Sequence, residues 1–271
     1  METTSAMRVI AAAQTAPIGG DVHANIKQHV AMMQAAARHG VQLLVFPELS
    51  LTGYEPSLAP KLAVHADDDT TLLLLQPLRE QAAMSGMTAV VGLPLSLPGR
   101  PGCVFIGALV LEPNGGVCVY TKQHLAPSEA SVFEVGMGGA HAQVAGQQVA
   151  VAICYDTAHA SHPAAAADIG ASIYAAGIWS TPEEVDMIKA RFEGHALRHH
   201  LTVVVANYGG PTAGGAPSGG GSAIWSALGT LVVKAPKSGV SLVVATHVGY
   251  QTWSMSAFVL KEIESCVHNN R

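Results

Sequence analysis

Short apolar runs rich in Val, Ile, Leu and Ala alternate along this chain with stretches of helical periodicity, and that alternation directs it towards a layered α/β fold. Arg8 to Ala13 reads as a strand, with Gln14-Thr-Ala-Pro as the turn out of it. Asp21 can cap a helix whose apolar stripe is Val22, Ile26, Val30, Met33 and Ala37, and Gly40 ends it. Val41 to Phe46 is a continuous apolar strand. A helical region from Leu72 to Ser85 leads to a strand over Thr88 to Leu93. The pattern then becomes a β-hairpin: Val104 to Leu111, the turn Glu-Pro-Asn-Gly-Gly, and Val117 to Tyr120. Gln148 to Ile153 is a strand, followed by a helix to Ile169 and a strand over Ala171 to Ala175. Thr181-Pro-Glu-Glu starts a further helix, with Thr181 as cap, Pro182 at the first position and Glu184 closing a capping box. That helix runs to about His200; strand Thr202 to Ala206 and two or three strands between Ser222 and Ala245 follow. Hairpins beside crossovers exclude a purely doubly wound sheet. Two sheets packed together with helices outside suit this order.

A chain of 271 residues can bury a large core without disulfide or metal. One domain over 1–271 is expected, with its core at about 7–245 and a tail over 246–271. Hydrophobic residues make up 49% and charged residues 12%, which predicts sheets covered on most faces or an apolar subunit interface. A net charge of -5 and the lack of a basic stripe argue against nucleic acid as a partner. Asp67-Asp68-Asp69 reads as a solvated helix start, not a metal site. Met1 to Met7 lacks the features of a secretory signal, and no apolar run reaches the length of a membrane span. The cysteines at 103, 118, 154 and 266 show no CxxC pairing or zinc spacing and suit a reducing cytoplasm. Gly209 to Gly221 is a Gly/Pro-rich loop without a phosphate-loop ending, expected to act as a mobile lid or a rim.

Three spots carry chemistry. Cys154 closes the strand Val-Ala-Val-Ala-Ile and is followed at once by a helix start, where free backbone N–H groups favour a thiolate and can hold a developing oxyanion. Cys103 and Cys118 read as inert strand cysteines, and Cys266 falls in the polar tail. Glu48, in Phe-Pro-Glu-Leu-Ser, directly follows a buried strand, where burial raises a carboxyl's pKa towards neutrality. Lys122, in Tyr-Thr-Lys-Gln-His-Leu, leaves a strand beside an otherwise uncharged segment. Taken singly, each has a bland alternative: buried thiol, capping glutamate, solvated lysine.

Together, Phe-Pro-Glu-Leu-Ser-Leu-Thr-Gly-Tyr, Tyr-Thr-Lys-Gln-His-Leu and Val-Ala-Ile-Cys-Tyr-Asp resemble, in order and separation, the nitrilase superfamily of carbon–nitrogen hydrolases. The likeness covers nearly all of Met7 to Ala245, including Asn207-Tyr-Gly-Gly and Gly-Ser222-Ala-Ile-Trp. It implies a four-layer α-β-β-α sandwich, commonly paired across subunits through its helices, with neither metal nor organic cofactor. By the same resemblance Glu48 is general base and acid, Lys122 stabilises the tetrahedral intermediate, and Cys154 is the nucleophile. Glu129 matches a second, supporting glutamate, and the Tyr155 backbone N–H joins Lys122 at the oxyanion. The implied substrate is a small amide, hydrolysed through a thioester. Nitrile hydrolysis, acyl transfer to an amine and a non-catalytic binding role stay open alongside. Two places depart from the family. His159, Ala160 and Ser161 stand where many members have Phe-Pro-Glu, and His195-Ala-Leu-Arg198-His199 replaces Arg-Ala-x-Glu-Asn. Tyr54, His159, Trp179 and Asn207 are candidate pocket residues. His195 and His199, four apart but without a third ligand, read as a polar helix surface. Ser218-Gly-Gly-Gly-Ser222 lacks the partner motif of a serine amidase.

Overall fold

The computed structural model describes residues 8–65, 67–139, 141–247 and 258–260. The chain opens with β1 (Arg8–Gln14), α1 (Val22–Ala37) and β2 (Leu43–Val45), then α2 (Ala59–Leu62) and β3 (Val64–His65). Next come α3 (Asp69–Leu74), α4 (Gln76–Ser85), β4 (Thr88–Ser96), β5 (Phe105–Leu111), β6 (Val117–Thr121), β7 (Gly138–Gly139) and β8 (Ala142–Val144). The second half holds β9 (Gln147–Ile153), α5 (Ser161–Asp168), β10 (Ile173–Gly177), α6 (Val185–His199), β11 (Thr202–Ala206), β12 (Ala223–Trp225), β13 (Leu231–Lys234), β14 (Ser241–His247) and β15 (Phe258–Leu260).

Two mixed sheets result, a nine-stranded one in the order β15-β14-β1-β2-β4-β5-β6-β7 with β3 beside β4, and a six-stranded one in the order β13-β12-β11-β10-β9-β8. β1, β2 and β4 run parallel, as do β9, β10 and β11, while antiparallel partners flank both trios. Alternating residues sort the core. Ile10, Ala12, Leu43 and Val45 of the first sheet meet Val149, Val151, Ile173 and Val204 of the second. Their neighbours in sequence, such as Val9, Ala11 and Leu44, turn outward onto α1 and α4. Ala150, Ala152, Tyr174 and Val203 pack under α5 and α6. The period of two thus gives four layers, α-β-β-α.

Several boundaries differ from the sequence expectation for local reasons. The helix expected over Leu72 to Ser85 breaks at Leu75, because Pro77 has no N–H and its ring crowds the carbonyl four residues back. The Asp run does open a helix, α3, and stays exposed. Strand β10 begins at Ile173, two residues later than expected. Cys103 lies outside a strand, before β5. The expected tail is part of the sheet at its start: β14 extends to His247, and 258–260 adds an edge strand. Met1 to Met7 and Cys266 lie outside the described residues. Among the described residues no helix is long and apolar enough to cross a membrane.

Candidate active site

Each candidate side chain leaves its sheet at a strand's C-terminal end, where α/β folds gather polar groups. The chain leaves β2 through Phe46-Pro47-Glu48 at a point where the two sheets nearly touch. Gly92 of β4 and Gly177 at the end of β10 press on this segment from either side. A Cβ on Gly92 would stand 2.5 Å from Pro47 O and Leu49 N, and one on Gly177 2.6 Å from Phe46 O. Only glycine permits so close an approach. The Tyr208 hydroxyl donates to the Glu48 carbonyl at 2.7 Å, fixing the backbone from a third direction.

Lys122 follows β6, its N–H bonded to Ile106 O at 2.9 Å and its carbonyl to Gly136 N at 2.8 Å. The side chain is fully buried. Its Nζ lies 2.7 Å from Glu48 Oε1 and 2.7 Å from Glu129 Oε1. Glu129 is itself held, taking the Tyr54 hydroxyl on Oε1 at 2.9 Å and the Ala126 N–H on Oε2 at 2.7 Å. Glu48 Oε2, by contrast, has no hydrogen-bond partner among the described residues.

Cys154 directly follows β9 with φ +42, a left-handed conformation that strains any residue with a Cβ. The turn over Cys154–Ala158 holds it there. Thr157 donates its hydroxyl to Cys154 O at 2.7 Å, and Asp156 Oδ2 accepts the Ile153 N–H at 3.1 Å. His195 Nε2 lies 2.8 Å from Thr157 O, so this nitrogen carries the proton. His195 is therefore a buried support for the turn, not the polar surface expected from its spacing. It anchors α6 to the turn.

Burial governs the charges. It pushes the Glu48 carboxyl up to about 7, with Glu129 adding to the rise and Lys122 opposing it. Burial alone would lower Lys122, but Glu48, Cys154 and Glu129 outweigh it and hold the ammonium above its usual range. The Cys154 residue is half-buried, yet burial of its sulfur and then Glu48 drive the thiol well above its ordinary value, against the pull of Lys122. Its Sγ donates to Trp179 O at 3.4 Å. At this sulfur the short turn and one ammonium act against desolvation and a neighbouring carboxyl, and the net direction is upward.

Around this cluster Tyr54 stacks on Trp179 at 4.5 Å, and Trp179 Nε1 donates to Ser218 Oγ at 3.0 Å. Asn207 spends all four of its side-chain bonds on Ser180 N, Ser180 Oγ, Tyr208 N and Gly220 O, which leaves the amide nothing to offer a ligand. It braces the loop from the wall of a small cavity that Ile178, Val205 and Trp225 also line. His159 stacks on His124 at 3.8 Å and meets the exposed Tyr155 edge-on at 5.3 Å, so it covers the segment after Lys122. Loop 209–221 is pinned by Gly209 N to Thr15 O, Gly219 N to Ser180 O and Ala213 N to Glu55 Oε1, which makes it a rim. Ser222 Oγ is used on the Asn207 backbone. Among the described residues no group of three or more His, Cys, Asp or Glu could hold a metal. Sequence reasoning passed over Tyr208, which carries no motif of its own, and Asp156, visible only as the last letter of Cys-Tyr-Asp.

The family model for carbon-nitrogen hydrolases matches residues 9–248. An (R)-stereoselective amidase from Pseudomonas sp. is 26% identical over 232 residues, 85% of this chain and 82% of that protein. A glutamine-dependent NAD(+) synthetase from Xylella fastidiosa is 32% identical over 160 residues. There the match takes in 55% of this chain and only 27% of the synthetase, so the chain spans about a quarter of that relative's length. Among solved structures, an amidase from Nesterenkonia sp. superposes with TM-score 0.80 at 25% identity over 92% of each chain. A variant of the Nesterenkonia sp. AN1 amidase has TM-score 0.79 at 25% identity, over 89% of this chain and 90% of that one. It shows covalent addition of the acetamide moiety of fluoroacetamide at its active-site cysteine.

Proposed function

This chain belongs to the carbon-nitrogen hydrolase family and is an enzyme acting on C–N bonds, and from that premise we propose that it hydrolyses a small amide through a thioester on Cys154. The observation that carries the reading is the buried Lys122 ammonium, 2.7 Å from both Glu48 and Glu129, next to a thiol on a strained turn. A carboxyl near pKa 7 can both take and return a proton at neutral pH. In the proposed cycle Glu48 receives the thiol proton as sulfur attacks the amide carbonyl. Lys122 and the Tyr155 N–H stabilise the oxyanion, and Glu48 passes its proton to the departing ammonia or amine. Water, deprotonated by the same carboxylate, then cleaves the thioester to the acid. The thiol is regenerated. The amidase relatives support an amide over a nitrile as substrate.

The test is intact-mass spectrometry with a panel of small aliphatic amides. An acyl adduct on Cys154 with ammonia release is expected, and neither in Cys154→Ala. Undiminished ammonia release by that variant would sink the reading. Acylation needs ionised Glu48, so kcat/KM should climb as pH rises and level off above about 7. A rate independent of pH between 5 and 9 would count against this role. Gly177→Ala should displace Glu48 through Phe46 O and lower kcat about 100-fold, since ångström-scale misplacement costs that much. Thermal unfolding should show a loss of about 1–3 kcal/mol from overpacking; parental activity would mean that Glu48 tolerates the shift.

The same reading extends to assembly. Met187 and Leu197 on α6 and Ile169 after α5 are exposed, an apolar set that pairing of two copies through their helices would cover. Light scattering should find a dimer for the parent and a monomer for Met187→Glu with Leu197→Glu. The half-buried free thiols of Cys103 and Cys118 fit a cytoplasmic setting.

A further inference from the structure

Asp156 is fully buried, two residues beyond Cys154, and its carboxylate accepts from four donors on two stretches of chain, 120–124 and Ile153. Oδ1 takes the N–H groups of Gln123 at 2.9 Å and His124 at 2.8 Å. Oδ2 takes the Ile153 N–H at 3.1 Å and the Tyr120 hydroxyl at 2.8 Å. The donors bracket the site closely. Ile153 precedes Cys154, Gln123 and His124 follow Lys122, and Tyr120 stands two residues before it. Because Tyr120 donates to the carboxylate, its oxygen receives a proton from His162 Nε2 at 2.7 Å, and His162 Nδ1 accepts from the Tyr174 hydroxyl at 2.8 Å. That chain fixes the direction in which the Tyr120 hydroxyl points.

We propose that Asp156 is the positioning residue of this site: one carboxylate buckles the Lys122 segment to the Cys154 turn and so sets the distance between ammonium and sulfur. The inference rests on the roles proposed above for Glu48, Lys122 and Cys154. A carboxylate is required because both oxygens face donors only. An amide would turn its own N–H₂ towards one of the two donor pairs and push that pair away. Loosening either pair lets Lys122 withdraw from Glu48 and Cys154, and the proton transfer between thiol and carboxyl then loses its ammonium.

Alkylation of Cys154 by iodoacetamide, followed by intact mass against pH, tests this without a known substrate. Sulfur displaces iodide and the thiol proton passes to Glu48 or to solvent, so the rate reports the coupling directly. The titratable groups around the sulfur are Glu48, Lys122, Glu129 and Tyr54. In Asp156→Asn the plateau rate should fall at least tenfold and the midpoint should move to higher pH, as Glu48 loses its cation. A merely structural role would lower the unfolding temperature and leave the midpoint of the folded fraction where it was. Asp156→Glu keeps the charge but lengthens the arm, and should shift both readouts the same way by less. It serves if the asparagine variant fails to fold. Parental midpoints and rates within twofold in the folded variants would overturn the inference. Glu48→Gln separates the two levels: if it leaves the parent's alkylation profile unchanged, the reading of the site falls, and the positioning role with it.

Discussion

Lys122→Met is expected to lower turnover about 10²- to 10³-fold, the range for removing one group from an oxyanion site, and to destabilise the fold by roughly 3–5 kcal/mol at alkaline pH. Methionine fills the space of the lysine stem, so the change removes charge with little volume. What remains is two buried carboxyls, Glu48 and Glu129, that had shared one ammonium at 2.7 Å. The direction of the pH dependence follows from Glu48. Its folded pKa is already raised to about 7 by burial and Glu129, against the lowering effect of Lys122, so loss of the lysine raises it further. A raised carboxyl binds more protons folded than unfolded, and its contribution to stability is full below the unfolded value and lost as pH rises through the folded one. The variant should therefore approach the parent near pH 4 to 5 and fall furthest behind above pH 8. Urea unfolding at both ends, together with kcat and KM for one amide, checks the prediction. Normal single-turnover acylation would remove Lys122 from the chemistry, and a deficit independent of pH would remove the electrostatic account.

The parts of this molecule legible in its sequence are those fixed by short-range pattern. Alternating apolar residues in β1 and β9 specify which side of each sheet meets the other, and Thr181 with Glu184 marks a helix entry: the Glu184 carboxylate accepts the Thr181 N–H at 2.9 Å. The three candidate residues could be named because each follows a strand within a distinctive run. What could not be read depends on neighbours remote in sequence. Gly177 looks like an ordinary strand glycine until Phe46 O, more than a hundred positions earlier, is found against it. His195 looks like helix surface until Thr157 O is seen across α6. The proton affinity of Cys154 depends on remote neighbours in the same way. A strand end followed by a turn suggests a thiolate, but the balance is decided by how deeply the sulfur is desolvated and by Glu48 beside it, neither of which is local.

Glu48→Gln should separate catalysis from stability. If Glu48 carries the proton as proposed, its loss is expected to reduce turnover by about 10²- to 10⁴-fold. Yet the fold should not weaken at alkaline pH. The wild-type site encloses one ammonium and two carboxylates; glutamine leaves the Lys122–Glu129 pair at 2.7 Å intact and balanced. Glu48 also brings an oxygen, Oε2, without a partner among the described residues, a cost that grows when the group ionises. Raising its pKa from 4.5 to about 7 means that, between those values, ionisation removes stability as pH climbs. At about 1.4 kcal/mol per unit the loss reaches roughly 3 kcal/mol by pH 8. The glutamine variant lacks this slope. Its unfolding free energy should be flatter across pH 5 to 8 and equal to or above the parent's at pH 8. A parallel slope with a lower value throughout would mean that Glu48 is held as a comfortable structural anion, unsuited to exchanging protons. The predicted crossing of the two curves would instead identify the carboxyl as a group kept ionisable at the expense of the fold, as a site that shuttles protons near neutrality requires.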